Sequence, residues 1–453
     1  MKNALLTAVL LILLVSSGTA GDFISTSGKV SLRGVIPLNN NSVTEYPSLL
    51  GRVKVDTTPE TWRFHMWLEG GWDGSVDLPV KDHSFIKTWD DVYQSTTPYL
   101  EFKEIYGAFA TDFFEFRAGV QRFSWGRLDE YPVNDLLNPW DYTQFLRKPL
   151  EERKIGVPSL SFRFYQGDWN AEAVWVPLFV PYRLPLPTER WAGITGINAY
   201  MDLPGVEIVT REPDLPATTL KNGSVGLRLH NVGSVEWGIN LFHGYDPRPV
   251  FKSTALIVAS NAGKLLIDPG IVPSFHKISS IGFDAATVIG DWSLRAETAY
   301  AIGRYFNTKR ELWGYPTDFV PGIYSLNPIE RKTDTVEYGI GVDYRLFEDC
   351  LITMQAQQTF LLDRADSMYD RKFETLLWAN LKNGFLNQKI ETNLNLAYNP
   401  EHGDSMAKAN AWYVFTDSWK AGLTAVAFWG PSQSLFGRYS KNDQVEAEII
   451  YSW

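Results

Sequence analysis

The sequence predicts an all-β fold: a single antiparallel transmembrane β-barrel of about 18 strands, with long extracellular loops and one inward-folding loop. Three observations support this prediction. Segments in which apolar and polar residues alternate recur along the whole chain, and the connections between them are alternately short and long. Aromatic residues make up 14% of the chain, yet its mean hydropathy is only −0.17. A barrel strand meets lipid on one face and water on the other, with Trp and Tyr at the interfaces.

Residues 1–20 have the pattern of a cleaved secretory signal peptide. Lys2 supplies a positive charge, residues 4–15 are apolar, and residues 16–20 are small, as a signal-peptidase site requires. An uncleaved membrane anchor is the alternative, but the apolar stretch is shorter than the roughly 20 residues that a spanning helix needs. No later stretch is long and apolar enough, and no repeat or linker is visible. Residues 21–453 are therefore expected to form one outer-membrane β-barrel domain.

The alternation of the predicted strands is clearest in five segments. In residues 114–121, Phe, Phe, Ala and Val alternate with Glu, Arg, Gly and Gln. Residues 62–69, 292–298, 336–343 and 420–427 follow the same pattern. One face is consistently apolar and the other carries charge or Gly, as expected for strands between lipid and an aqueous lumen. A large soluble β-protein is the alternative.

The connections predict the orientation of the barrel. Tight turns are expected at residues 59–60, 111–112, 166–168, 232–233, 290–291 and 416–417. Long connections are expected at residues 73–97, 123–154, 178–219, 246–273 and 303–333. Outer-membrane barrels have short periplasmic turns and long extracellular loops, so both termini are expected on the periplasmic side. A soluble sandwich has no physical reason to keep this alternation.

The C-terminal segment predicts the last strand and its destination. Val445, Ala447, Ile449, Tyr451 and Trp453 alternate with mostly polar neighbours. This resembles the terminal insertion signal of bacterial outer-membrane barrels, in which Phe is the commonest last residue and Trp is a departure. The resemblance implies recognition by the barrel-assembly machinery and a place in the cell outer membrane, surrounded by lipid and lipopolysaccharide. An ordinary C-terminal strand is the alternative.

Composition disfavours several classes of function. The formal charge of −10 argues against nucleic acid as a partner. One Cys and six His leave little material for a metal cluster, and no haem-attachment motif is present, so neither a metal nor a cofactor is expected. Histidines 65 and 230 fall on predicted polar faces, but no Ser/His or Asp/His constellation is recognisable. The chain is therefore not expected to be an enzyme.

Residues 117–158 and the following long loop contain the most distinctive motifs. They are Gln121-Arg122, Ser124-Trp125-Gly126, Asn134-Asp135, Asn138-Pro139-x-Asp141 and Ala173-Val174-Trp175-Val176-Pro177, followed by Phe179, Pro181, Arg183, Leu184 and Pro185. These motifs resemble a family of poorly characterised proteobacterial outer-membrane barrels, distantly similar to alginate-export-type porins. The resemblance covers roughly a fifth of the chain. It implies a porin-like role and specifies no substrate.

The connection at residues 123–154 is a candidate pore constriction. It is too long for an idle loop and mixes both signs of charge with aromatic residues. Folding inward would place its charges in the polar lumen, where they could narrow the pore and set its selectivity. The residues expected to line or brace this constriction are Arg117, Arg122, Arg127, Asp135, Asp141, Arg147 and Arg153. An external cap is the alternative.

Charged residues of both signs are expected on the lumen wall. The candidates include Arg63, Glu69, Arg228, Arg295 and Glu297. If the two signs were segregated onto opposite walls, they would create a transverse field across the channel. The alternative is that most of them are solvated or paired with one another.

The expected function is a porin-like outer-membrane channel for the diffusion of small hydrophilic or amphipathic solutes. A barrel of this predicted size leaves an aqueous channel. One alternative is a scaffold barrel that sheathes a partner such as a multihaem electron conduit. Another is an outer-membrane hydrolase. The inward-folding loop disfavours an empty lumen and therefore the sheath.

Overall fold

The computed structural model describes most of the predicted barrel domain. The described residues are 23–38, 47–57, 59–73, 99–185, 190–192, 206–208, 213–253, 255–261, 264–268, 271–308, 322–325 and 329–453. The predicted signal peptide, residues 1–20, lies outside these ranges, as does most of the predicted loop 73–97. Within them, the structure contains no helix with the length and apolarity needed to cross a membrane.

Strands dominate the described part of the chain. In chain order they are β1 (Ile24–Pro37), β2 (Ser48–Thr57), β3 (Trp62–Asp73), β4 (Tyr99–Ala110), β5 (Phe114–Gln121), β6 (Val157–Gln166), β7 (Trp169–Val176), β8 (Val206–Ile208), β9 (Ser224–Asn231), β10 (Val235–Tyr245), β11 (Val250–Ser253), β12 (Ala255–Asn261), β13 (Lys264–Asp268), β14 (Ile271–Ser274), β15 (Lys277–Ile289), β16 (Trp292–Asn307), β17 (Gly322–Ser325), β18 (Glu330–Phe347), β19 (Cys350–Leu361), β20 (Phe373–Phe385), β21 (Ile390–Asn399), β22 (Asp404–Val414), β23 (Trp419–Trp429) and β24 (Gln444–Ser452). The helical elements are one α-helical turn, Leu150–Arg153, and three 3₁₀ turns, Arg190–Ala192, Leu220–Asn222 and Gly437–Tyr439.

Eighteen of these strands close into one antiparallel barrel, which confirms the predicted fold class. Each barrel strand pairs with the next one along the chain, and β24 pairs with β1 to close the ring. Closure leaves no unpaired sheet edge. The remaining strands, β8, β11, β12, β13, β14 and β17, form two small sheets outside the ring. They lie in three predicted long loops, where sequence periodicity did not indicate them.

The tight turns occur where the sequence predicts them, including those between β4 and β5 and between β22 and β23. Two connections differ from the prediction. β16 continues to Asn307 and β18 begins at Glu330, so the connection predicted at residues 303–333 is shorter. A register shift between Ala301 and Arg304 interrupts the alternation there and hides the strand's continuation. β21 and β22 are joined by a short turn on the long-loop side, which is an exception to the predicted alternation.

The two faces of the barrel differ in polarity. Apolar side chains such as Phe162, Leu229 and Ile340 are exposed on the outer surface. Four strands that follow tight turns begin with an exposed Trp, and these residues are Trp62, Trp169, Trp292 and Trp419. Such a belt of Trp at one end of an apolar band is typical of a membrane interface. Charged and amide side chains face the lumen, which is where the candidate site lies.

Candidate pore constriction

The connection between β5 and β6, residues 122–156, is folded against the inner wall of the barrel; we call it the β5–β6 loop. Its apolar side chains pack in separate places around the lumen. Trp125 lies in a buried cluster with Val174 of β7 and other wall residues. Phe145 lies in a second buried cluster with Trp378 of β20 and Phe428 of β23. The loop therefore contacts widely separated parts of the wall.

Glycines on the inner wall make room for this loop. A Cβ atom on Gly282 of β15 would lie 1.7 Å from Oδ1 of Asn134. A Cβ on Gly226 of β9 would lie 2.6 Å from the Trp125 ring. Larger residues at these positions would displace the loop, because Cβ atoms do not approach other heavy atoms so closely. Glycine on the polar face of a strand thus permits close approach of another segment.

Glu297 of β16 is the principal anchor of the loop. Its carboxylate accepts backbone N–H bonds from Leu128 at 2.6 Å, from Val133 at 2.8 Å, from Asn134 at 3.0 Å and from Arg127. The side chain is almost fully buried. A buried carboxylate is stable only when its oxygens are satisfied, and here four loop amides satisfy them. One wall residue therefore holds a whole turn of the loop.

Arg127 connects the loop to the adjacent part of the wall. Its Nε donates to Asp284 of β15 at 3.0 Å, and it also pairs with Glu236 of β10. Arg228 of β9 donates to the same Asp284 at 3.1 Å. Two arginines thus share one fully buried carboxylate, and the positive and negative groups are interleaved across neighbouring strands.

The same interleaving continues along the wall. Arg295 of β16 pairs with Asp343 of β18 at 2.6 Å and with Asp129 of the loop at 2.8 Å. Arg63 of β3 pairs with Glu115 of β5 near the tight-turn end. We call the barrel strands β3–β7, β9, β10, β15 and β16, together with the charged residues on them, the charged wall. Its charges are paired rather than segregated by sign, so they do not form the transverse field considered from sequence.

The other end of the loop is anchored to strands β1, β2 and β24. Arg147 donates to Glu446 of β24 at 2.8 Å. Glu152 accepts from Arg52 of β2 at 3.0 Å, and Arg52 also pairs with Glu69 of β3 at 2.7 Å. The Arg52, Glu69 and Glu152 side chains are all buried. Glu69 thus supports a cation that holds the loop.

Arg122 and Arg117 lie where β5 meets the loop. Arg122 pairs with Glu104 of β4 at 3.0 Å, and its guanidinium lies 3.9 Å from the ring centroid of Trp67. Arg117 lies on β5 itself and pairs with Glu115. Arg122 therefore braces the start of the loop, whereas Arg117 is a wall residue.

Asp135 and Asp141 each pair with a lysine of the loop, but the pKa values of the two carboxyls shift in opposite directions. Burial raises the pKa of Asp135, although Lys154 beside it acts in the opposite direction. Burial would also raise the pKa of Asp141, but Lys148 and Arg183 lower it to about 2. Asp141 accepts from Nζ of Lys148 at 3.0 Å. It is therefore a charged brace for the loop at neutral pH.

All the predicted constriction residues except Arg117 lie in the β5–β6 loop, where they contact different parts of the wall, and most of them do not present a charge to water. Arg153 pairs with Glu130 inside the loop and is 2% exposed. Asp135, Asp141 and Arg147 are also buried. They act as braces, and the wall glycines that admit the loop were not singled out from sequence. Their only sequence signal was Gly on the polar face of a strand.

One cluster of residues resembles the parts of a hydrolytic site. Oγ of Ser274 lies 3.3 Å from Nε2 of His276, and the same Nε2 lies 3.1 Å from Glu330. A nucleophile–base–acid relay needs the hydroxyl and the carboxylate on opposite ring nitrogens. Ser274 is also buried. Within the described residues, no group of His, Cys, Asp and Glu is arranged to hold a metal ion.

No family model and no curated protein matches the chain. Among solved structures, it is similar to OccK8 (OprE) of Pseudomonas aeruginosa, with 10% identity, a TM-score of 0.48, and 96% of this chain and 99% of that chain covered. It is also similar to OccAB1 of Acinetobacter baumannii, with 8% identity, a TM-score of 0.49, and 96% of this chain and 97% of that chain covered. Its similarity to the outer membrane channel DcaP of Acinetobacter baumannii has 9% identity and a TM-score of 0.42, with 96% of this chain and 99% of that chain covered.

Proposed function

We propose that the protein is an outer-membrane channel through which small hydrophilic or amphipathic solutes diffuse, and that the β5–β6 loop is its constriction. The observation that supports this most directly is the Glu297 anchor, which holds residues 127–134 inside a polar-walled barrel. Charges held inside a pore act on permeating ions at short range. The more specific resemblance to alginate-export-type porins remains a prediction.

The proposal includes the route to the membrane. Residues 1–20 would be removed at export, and β24 would be recognised by the barrel-assembly machinery. The mature barrel would then lie in the outer membrane, with its apolar band against lipid and its long loops near lipopolysaccharide. The exposed outer face and the Trp belt support this location.

The test is to replace residues 128–150 with a few Gly and Ser and to measure single-channel conductance of protein extracted from outer membranes. Conductance should rise about twofold or more, because the segment that narrows the lumen is removed. A matched control replaces residues 363–367 of the β19–β20 connection, where Asp366 is fully exposed. Its conductance should equal that of the wild type.

Two results would contradict the proposal separately. Recovery of the protein in the soluble periplasmic fraction, or absence of conductance in the wild type, would exclude the channel. Unchanged conductance in a correctly inserted loop variant would exclude the constriction and favour an external cap. The sheath alternative requires a lumen without the docked loop, and the hydrolase alternative requires a relay that Ser274 and His276 do not form.

A further inference from the structure

The inner wall formed by β20, β21 and β22 carries a patch of neutral amides. Its residues are Asn380, Asn393, Asn395 and Asn410, and we call this patch the amide wall. In the strand register Asn380 lies opposite Asn395, and Asn393 lies opposite Asn410. Nδ2 of Asn380 lies 2.5 Å from Oδ1 of Asn393 and 2.7 Å from Oδ1 of Asn395. Asn380, Asn393 and Asn395 are therefore hydrogen-bonded to one another, with Asn380 buried beneath them and Asn410 next to Asn393 in the register.

This surface retains hydrogen-bonding capacity. A primary amide has two N–H donors and one carbonyl acceptor with two lone pairs. Oδ1 of Asn393 accepts from Asn380 and from Asn395, which leaves its own Nδ2 available. Among the buried polar atoms without a partner in the described residues, none belongs to the amide wall. Its remaining donors and acceptors can therefore be satisfied by water or by a solute in the lumen.

An aromatic ring lies beside the amides. Trp412 of β22 is directly opposite Gly422 of β23. A Cβ atom on Gly422 would lie 2.6 Å from Cδ2 and Cε3 of the Trp412 ring. The indole therefore lies against the backbone of Gly422, and Trp412 is two residues from Asn410 on the same inward face of β22. The side chain remains partly exposed, so part of the indole can be reached from the lumen.

The charged residues next to the ring largely compensate one another. Nζ of Lys420 lies 3.4 Å from Oε2 of Glu391 and 5.2 Å from the centroid of the Trp412 ring. Both side chains are substantially exposed. Two further lysines flank the amides: Lys382 of β20 is opposite Asn393, and Lys408 of β22 is opposite Asn395. The patch thus combines an aromatic ring, neutral amides, one ion pair and two neighbouring lysines.

The β5–β6 loop reaches the edge of this patch, because Lys408, which is opposite Asn395 in the register, donates to the backbone carbonyl of Arg147. Toward the long-loop end, the next inward-facing residues are Trp378 on β20 and Ala397 on β21. On β22, Lys408 comes next and is followed by Met406. Trp378, Ala397 and Met406 pack with Phe145 of the loop in a buried aromatic cluster. The amide wall begins where that cluster ends, on the side of the tight turns.

We propose that the amide wall and Trp412 bind neutral polyhydroxylated solutes, that is, saccharides, on their way through the lumen. A pyranose ring presents an apolar C–H face, which stacks on an indole, and hydroxyls, which both donate to and accept from amides. Because Lys382 and Lys408 flank the amides, an anionic sugar is the competing ligand. The inference rests on the proposed channel function and adds to it the class of solute.

The test measures binding in two ways, using glucose, maltose and maltotriose as probes and gluconate as the anionic comparison. Single-channel current is recorded with each probe, and tryptophan fluorescence of the detergent-solubilised protein is titrated. Trp412→Ala should weaken maltotriose binding about tenfold, whereas Trp412→Phe, which keeps a flat ring, should retain most of it. Asn393→Ala combined with Asn410→Ala should weaken it about threefold. Asn170→Ala on β7, an amide change on the opposite wall, is the matched control.

The outcomes distinguish this inference from the channel itself. Conductance without any saccharide binding, or binding equal in wild type and Trp412→Ala, would overturn the inference and leave the channel. Tighter binding of gluconate than of maltotriose would also overturn it. Absence of conductance would exclude the channel, while the fluorescence titration would still decide whether Trp412 binds saccharides.

Discussion

The charged wall and the amide wall are opposite sides of one barrel and meet the lumen in different ways. β5 and β20 are the fifth and fourteenth strands of the eighteen-strand ring and so lie nine strands apart. On the charged wall, buried groups such as Glu297 and Asp284 are satisfied by the β5–β6 loop. On the amide wall, the Asn side chains satisfy one another in part.

Under the two proposals, one polar lumen holds a constricting loop on one side and binds solutes on the other. A buried charge is costly unless it is paired, so the charged wall favours a docked loop in one position. Removing a neutral amide from water costs less free energy than removing a charge, and an amide can exchange its hydrogen-bond partners. The amide wall therefore favours reversible contacts with solutes. We therefore expect substitutions on the two walls to produce different kinds of effect.

The largest effect is expected from Glu297→Ala. Four loop N–H groups would lose their acceptor, at a cost of about 1 to 3 kcal/mol for each that stays buried and unpaired. The turn at residues 127–134 should undock, and single-channel conductance should become larger and noisier. Glu297→Gln keeps one carbonyl acceptor and should have a smaller effect. Asn393→Ala is the matched control on the other wall, and equal conductance changes in both variants would contradict the distinction.

Acid should loosen the loop in a defined range of pH. Burial would raise the pKa of Glu152, but Lys29 and Arg52 lower it to about 2, and the pKa of Asp141 is likewise lowered to about 2. An undocked carboxyl titrates near pH 4. The stabilisation from both groups is therefore fully present above about pH 4 and is lost as the pH falls toward about 2.

This acid effect can be followed by conductance and by tryptophan fluorescence between pH 7 and pH 2. Loosening that is complete at pH 5 would contradict the assignment of Asp141 and Glu152 as charged braces.

The smallest effect is expected from reversing one partly exposed charge. Arg122→Glu would place a carboxylate beside Glu104 and remove the cation from the face of Trp67. The cation-to-anion permeability ratio should rise about twofold, because one positive charge near the loop becomes negative. Reversal potentials in a salt gradient measure this ratio. Arg364→Glu, in the β19–β20 connection, should leave it unchanged, and an equal shift there would indicate a nonspecific surface effect.

The strands were largely predictable from the sequence, whereas the short sheets in the loops were not. Period-two alternation indicated β5 and β24 closely, because each strand has one apolar outer face and one polar inner face. β18 was expected to begin near residue 334 and begins at Glu330, because the regular alternation starts only after the first residues of the strand. β12 and β13 pair only with each other and with other loop strands, so no lipid–water alternation marks them.

The candidate site was predictable in part. The length, charge and aromatic content of residues 123–154 indicated an inward fold, and Glu297 and Arg127 were both among the residues singled out. Their direct contact was not predictable, since they are separated by 170 positions in the sequence. Asn393 and Asn395 alternate visibly on one strand, but the amide wall exists only because Asn380 and Asn410 are in register beside them.

The sequence by itself determined which face of each strand is apolar, and hence predicted that the chain closes into a barrel. That information is local, because neighbouring residues in a strand point to opposite sides. Only the tertiary structure decided where the β5–β6 loop docks and which residues of the inner wall it contacts. Those outcomes depend on pairs such as Arg127 and Asp284, 157 positions apart, whose contact arises only after strand register and ring closure have set their positions.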